Sequence, residues 1–94
     1  MSLERNIQKT FMNKLNKLGF ARKVEATNHA GMPDILFLRK GKVYFLEIKT
    51  DTGVVSKIQQ YTIDQINAEG GDARVLTGAI EIDRFLIEIT WRIK

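Results

Sequence analysis

Two apolar runs around a short turn constrain this chain more than any other feature. Asp34-Ile35-Leu36-Phe37-Leu38 leads through Arg39-Lys40-Gly41-Lys42 into Val43-Tyr44-Phe45-Leu46-Glu47-Ile48-Lys49. Runs of this length on either side of a glycine-containing turn read as an antiparallel hairpin. With the turn centred between Lys40 and Gly41, paired residues have numbers that sum to 81, which sets Asp34 opposite Glu47. Opposed residues share a face with Cβ atoms roughly 5 Å apart. Side chains alternate along a strand, so Lys49 shares the face of Glu47 roughly 6.6 Å further on. The hairpin is expected to gather two carboxylates and one ammonium at one end of a sheet. Neighbouring carboxylates repel each other unless a cation sits between them. A hard divalent cation favours such oxygen ligands.

The flanking segments supply the rest of a fold. Leu3, Ile7, Phe11, Leu15 and Leu18 form an apolar stripe at helical spacing, predicting a helix over residues 3–18 with Ser2 as N-cap and Gly19 as its stop. Phe20 to Thr27 reads as a strand interrupted by Arg22-Lys23, followed by a loop over residues 28–33. After a second loop, Ser56 caps a helix running to about Glu69, with Gly70-Gly71 as its stop. Ile58, Tyr61, Thr62 and Ile66 are expected to face the core from it. Ala73 to Thr77 reads as a strand. The last segment carries two patterns: Ile82, Phe85, Leu86, Ile89 and Ile93 fit a helix, while Ile87, Ile89, Trp91 and Ile93 alternate as in a strand. A helix over residues 80–88 is expected, and residues 87–94 stay open between the two. The order αβββαβα gives an α/β fold, a mixed β-sheet flanked by helices, within a single domain of residues 1–94.

Charge and cysteine content narrow the setting. Residues 1–60 carry eleven Lys/Arg against five Asp/Glu, a balance of +6, while residues 61–94 carry four against six, a balance of −2. The basic part also holds the hairpin, which suits a polyanion such as nucleic acid; the bland counterpart is a set of solvated lysines and arginines. The chain has no cysteine, so a reducing cytoplasm is the expected home. There is no apolar run long enough to span a membrane, and no membrane partner is expected.

Pro33-Asp34 followed by Glu47-Ile48-Lys49 resembles the PD-(D/E)xK nuclease superfamily. Gly31-x-Pro33-Asp34, Ser56-Lys57-Ile58-Gln59 at a helix start, and Ala68-Glu69-Gly70-Gly71 before a short strand are together similar to the VRR-type (VRR-NUC) nuclease family. That family is a stand-alone relative of Holliday-junction resolvases found in phages and bacteria, and the resemblance runs from about Glu4 to about Val75. It implies a restriction-endonuclease-like fold. It implies an endodeoxyribonuclease that uses Mg2+ (or Mn2+), selective for branched DNA, in a bacterial or phage-infected cell. Resolving a junction needs two symmetric cuts, so a C2 homodimer is expected. A nuclease acting on linear duplex, and an inactive DNA-binding module of the same fold, are the alternatives.

The resemblance also assigns residues. Asp34 and Glu47 would be direct metal ligands, and the backbone carbonyl of Ile48 would complete the shell. Lys49 would orient the attacking water or stabilise developing negative charge. The competing reading of Glu47 and Lys49 is a solvated strand face with a weak ion pair, against which Phe45 and Val43 on that face look buried. Glu4 would support the metal, through water, or else be a favourable acid at a helix N-terminus. Gln59 would point into the site, or else complete a capping box with Ser56. Arg22, Lys23, His29 and Lys57 are candidate DNA contacts, with Lys40 and Lys42 beside them. Trp91 is expected in the core or an interface.

Overall fold

The computed structural model describes residues 3–25 and 27–91, with backbone alone at Leu3 and Glu4. Met1, Ser2, Ala26 and residues 92–94 lie outside the described residues. Helix α1 (Leu3–Leu18) leads into β1 (Phe20–Lys23), β2 (Ile35–Arg39) and β3 (Lys42–Lys49). Helix α2 (Lys57–Ala68), β4 (Ala73–Thr77) and α3 (Gly78–Trp91) complete the order. The strands form one sheet in the order β1-β2-β3-β4. The first two pairings are antiparallel and β3–β4 is parallel, with α2 as the crossover. Among the described residues no helix is long and apolar enough to cross a membrane.

The hairpin has the expected register. Ile35 pairs with Leu46, Phe37 with Tyr44 and Arg39 with Lys42. Lys40 and Gly41 both have positive φ, 50° and 83°. Two left-handed residues in a two-residue loop match the right-handed twist of the flanking strands. β1 is shorter than the expected 20–27. Its partner β2 begins only at Ile35, so pairing runs out at Lys23 apart from one further bond, Val24 N–H to the Asp34 carbonyl at 2.7 Å.

Alternation sorts the sheet into two faces. Tyr44, Leu46 and Ile48 of β3 join Phe11, Leu15, Ile35, Phe37, Leu76, Ile82, Phe85 and Ile89 in the main core under α1 and α3. Phe85 stands edge-on to Phe11, Phe37 and Tyr44, with ring centroids 6.2, 6.5 and 5.3 Å apart. Each such pair adds about 0.5–1.5 kcal/mol beyond its area. This packing resolves the ambiguous last segment as far as Trp91; Ile93 lies outside the described residues. Ile82, Phe85 and Ile89 are all buried on one side of a helix that runs to Trp91; in a strand, Ile82 and Phe85 would face opposite ways. Trp91 is 77% exposed, so it is not a core residue.

The other face is covered by α2. Here the expected helix face was wrong at Ile58 and Tyr61. Ile63 is the buried residue, while Ile58 and Tyr61 are 51% and 62% exposed. Gln59 is bonded to Glu47 on the sheet, which turns the 59–63–66 row inward. Residues one or two positions away then project sideways or outward, since each step rotates by 100°. Val43, expected to be buried, is 40% exposed, because one helix does not cover the width of four strands.

Candidate active site

The site forms where β2 begins and β3 ends. β3 runs past its last pairing with β2, Ile35 with Leu46. Glu47, Ile48 and Lys49 therefore have β4 on one edge, against Val75, Leu76 and Thr77, and no strand on the other. Asp34 fills that gap. Its backbone N–H donates to Glu47 Oε1 at 3.2 Å. Pro33 is fully buried and fixes the backbone just before it. Gly31 has φ +90°, and a Cβ there would lie 2.7 Å from the Ile58 carbonyl oxygen. The bare glycine lets the loop press against α2, which seats Asp34 and the start of α2 side by side.

Three side chains converge on the two carboxylates. Gln59 Nε2 donates to Glu47 Oε2 at 3.1 Å. Lys49 Nζ lies 3.4 Å from the same oxygen. Gln8 Nε2, from α1, donates to Asp34 Oδ2 at 3.0 Å. Glu47 is 1% exposed. Burial, and then the charge of Asp34, push its carboxyl from 4.5 up to about 7, against the opposing pull of Lys49. The Glu47 and Lys49 pair is therefore not a solvated strand face.

Gln59 unites the two roles weighed for it. Its Oε1 accepts from the Ser56 N–H at 3.0 Å, and its own N–H donates to Ser56 Oγ at 3.1 Å, a complete capping box. The amide nitrogen at its other end holds Glu47. One carboxamide does both because it carries an acceptor and a donor.

The remaining candidates are not gathered here. Arg22 lies over the Phe20 ring at 4.1 Å and donates to the Ala21 carbonyl. Lys23, His29 and Lys57 are exposed, and none bonds to Asp34, Glu47 or Lys49. Lys42 pairs with Asp72 at 3.1 Å. It and Lys40 sit at the turn of the hairpin, roughly 15 Å from the site by strand rise. The Ile48 side chain is buried on the opposite face, while its backbone belongs to the half-open edge. The Glu4 side chain lies outside the described residues.

Gln8 escaped the sequence reading. It shares the helical row of Phe11 and Leu15, both buried, and is itself 9% exposed. A polar residue in an apolar row was the available signal.

The donor set suits a hard divalent cation. Asp34 and Glu47 offer carboxylate oxygens, and the 47–49 edge offers a carbonyl. Among the described residues no cluster of three or more acidic, histidine or cysteine groups occurs. Such a set fits an ion that keeps several waters, as Mg2+ does. The raised Glu47 pKa is the strain that a cation would relieve.

No curated protein sequence matches this chain. Its backbone is similar to a solved VRR_NUC domain, with TM-score 0.81 and 23% identity over 92% of this chain and 96% of that one. A second VRR_NUC domain protein has TM-score 0.73 and 22% identity over 99% of this chain and 89% of that one. A Holliday junction resolvase, Hjc of Archaeoglobus fulgidus, has TM-score 0.61 and 18% identity over 79% of this chain and 67% of that one. These likenesses give the restriction-endonuclease-like fold. A profile of the PD-(D/E)XK nuclease superfamily matches residues 2–92, so the chain belongs to that superfamily.

Proposed function

We propose that this chain is a divalent-metal-dependent endodeoxyribonuclease of the VRR-NUC type, selective for branched DNA such as four-way junctions. The observation that carries the reading is the joining of Asp34 and Glu47 at the rim of the sheet, with Lys49 against Glu47. Asp34, Glu47 and the Ile48 carbonyl would hold Mg2+ or Mn2+. When bound, such an ion activates water and stabilises charge on the phosphoryl oxygens.

The chain's own groups prepare that chemistry. Gln59 fixes Glu47, and Lys49 supplies a positive charge beside it. There the Lys49 ammonium would orient the nucleophile or meet the phosphate charge. Burial excludes bulk water, which strengthens each of these contacts. Glu4, on the same helix as Gln8, is a further support through water. Arg22, Lys23, His29 and Lys57 are proposed contacts to the DNA backbone; the positive charges of Arg22, Lys23 and Lys57 raise affinity without reading sequence.

Selectivity for branched DNA is supported by the fold shared with an archaeal Holliday junction resolvase. A C2 homodimer would supply the two cuts. The part of the sheet left bare by α2, with Phe20, Leu38 and Val43 exposed, lies on the same face as Asp34 and Glu47 and offers apolar surface for that contact.

The test is incubation with labelled four-way junction, flap and linear duplex, each with Mg2+, Mn2+ or a chelator. Junction cleavage that needs metal and is lost in Asp34→Ala is expected. Equal cutting of all three substrates would favour the linear-duplex nuclease. Binding without cleavage under every metal condition would leave a DNA-binding module.

A further inference from the structure

Asp34 stands in an exposed position mechanically. It precedes the first paired residue of β2, and among the described residues its only backbone bonds are the carbonyl to Val24 and the N–H to the Glu47 side chain. Without a further contact its carboxylate would be free to turn about its side-chain bonds. That contact comes from Gln8, whose amide N–H holds Oδ2 at 3.0 Å. Gln8 is anchored in turn, because Phe11 and Leu15 on its row are buried in the main core.

We infer that Gln8 is a positioning residue that sets the Asp34 carboxylate for the cation, an inference that rests on the metal-dependent reading above. Both oxygens of Glu47 already accept hydrogen bonds, from Asp34 N–H and Gln59. Asp34 Oδ1 accepts none among the described residues. Gln8 thus takes one oxygen and leaves the other presented to the ion.

The choice of a carboxamide is chemically specific. A lysine or arginine at this position would also donate, but its charge would neutralise Asp34 and compete with the cation. A neutral donor orients the carboxylate and leaves its charge available. The arrangement is paired across the sheet: α1 holds Asp34 through Gln8, and α2 holds Glu47 through Gln59. Partners that orient metal ligands in this way typically contribute 10- to 100-fold in metal affinity or activity.

The test uses Gln8→Met, which keeps the length and buries well but cannot donate. Titration calorimetry with Mg2+ and with Mn2+, beside thermal unfolding in chelator, reads the two roles separately. Affinity for both ions is expected to fall about tenfold, with cleavage recovering at saturating metal. Gln8→Lys keeps a donor and adds charge; it is expected to fold and to bind either ion more weakly than Gln8→Met. Unchanged ion affinity in Gln8→Met with a lower unfolding temperature would reduce Gln8 to a packing role and overturn the inference. Full ion affinity in Gln8→Lys would overturn it equally. If the unaltered chain takes up neither ion, the metal-dependent reading itself fails, and the inference with it.

Discussion

Glu47→Gln should make the metal-free protein more stable while destroying its activity. Glu47 is buried, and its carboxyl is raised from 4.5 to about 7, chiefly by burial and then by Asp34. At about 1.4 kcal/mol per unit, the ionised form at pH 8 costs the fold roughly 3 kcal/mol. The amide removes that cost but accepts at one end only. It keeps either the Asp34 N–H bond or the Gln59 and Lys49 contacts, forfeiting about 1–2 kcal/mol. The net expectation is a gain of about 1–2 kcal/mol at pH 8, or about 4–8 °C per kcal/mol in a domain of this size.

The pH dependence carries the sign. The folded pKa lies above the unfolded one, so the contribution of Glu47 to wild-type stability is greatest below 4.5 and declines as pH rises toward and through 7. The advantage of Glu47→Gln should therefore shrink steadily between pH 8 and pH 5. Denaturant unfolding of both proteins in chelator at the two pH values measures this. A variant less stable than wild type at pH 8, or an advantage independent of pH, would refute the account of the buried carboxylate.

Three further outcomes are expected. Asp34→Ala should abolish junction cleavage while leaving junction binding within a fewfold, read by gel shift beside a cleavage assay; retained cleavage would remove Asp34 from the site. Lys49→Ala should lose cleavage yet still bind Mn2+ in calorimetry, since it is not a ligand; loss of metal binding would contradict its assigned role. Gly31→Ala should destabilise by about 1–3 kcal/mol, because φ is +90° and the new Cβ would press on the Ile58 carbonyl. Thermal unfolding decides this, and an unchanged midpoint would show that the loop yields.

The hairpin was legible in the sequence because its turn chemistry and its strand period agree. Lys40-Gly41 permits a two-residue loop, and a one-residue slip would have moved Glu47 to the opposite face. The position of β4 was equally clear, bounded by Gly70-Gly71 and Gly78. The orientation of α2 was not. Ile58 and Tyr61 are apolar, and hydrophobicity alone favoured burying them. The helix is turned instead by a polar bond, Gln59 to Glu47, which no apolar periodicity encodes. Gln8 was hidden for a related reason. Its partner Asp34 is 26 positions away, and helical spacing shows which row a residue occupies but not what meets its tip. The last helix was half legible, since its alternating Ile87-Ile89-Trp91 pattern competed with Ile82-Phe85-Ile89 until the aromatic cluster around Phe85 decided between them.

The double attachment of Gln59 restricts which residue the position tolerates. Rotating its carboxamide by half a turn would aim N–H groups at the Ser56 N–H and an oxygen at the Glu47 carboxylate, two repulsive contacts at once. The side chain is therefore a one-way key between the helix start and the acid. Glutamate is equally suited to a capping box elsewhere, yet here it would set a third negative group against a carboxyl that already ionises with difficulty. Local helix chemistry admits two residues at this place, and the neighbouring acid leaves only one.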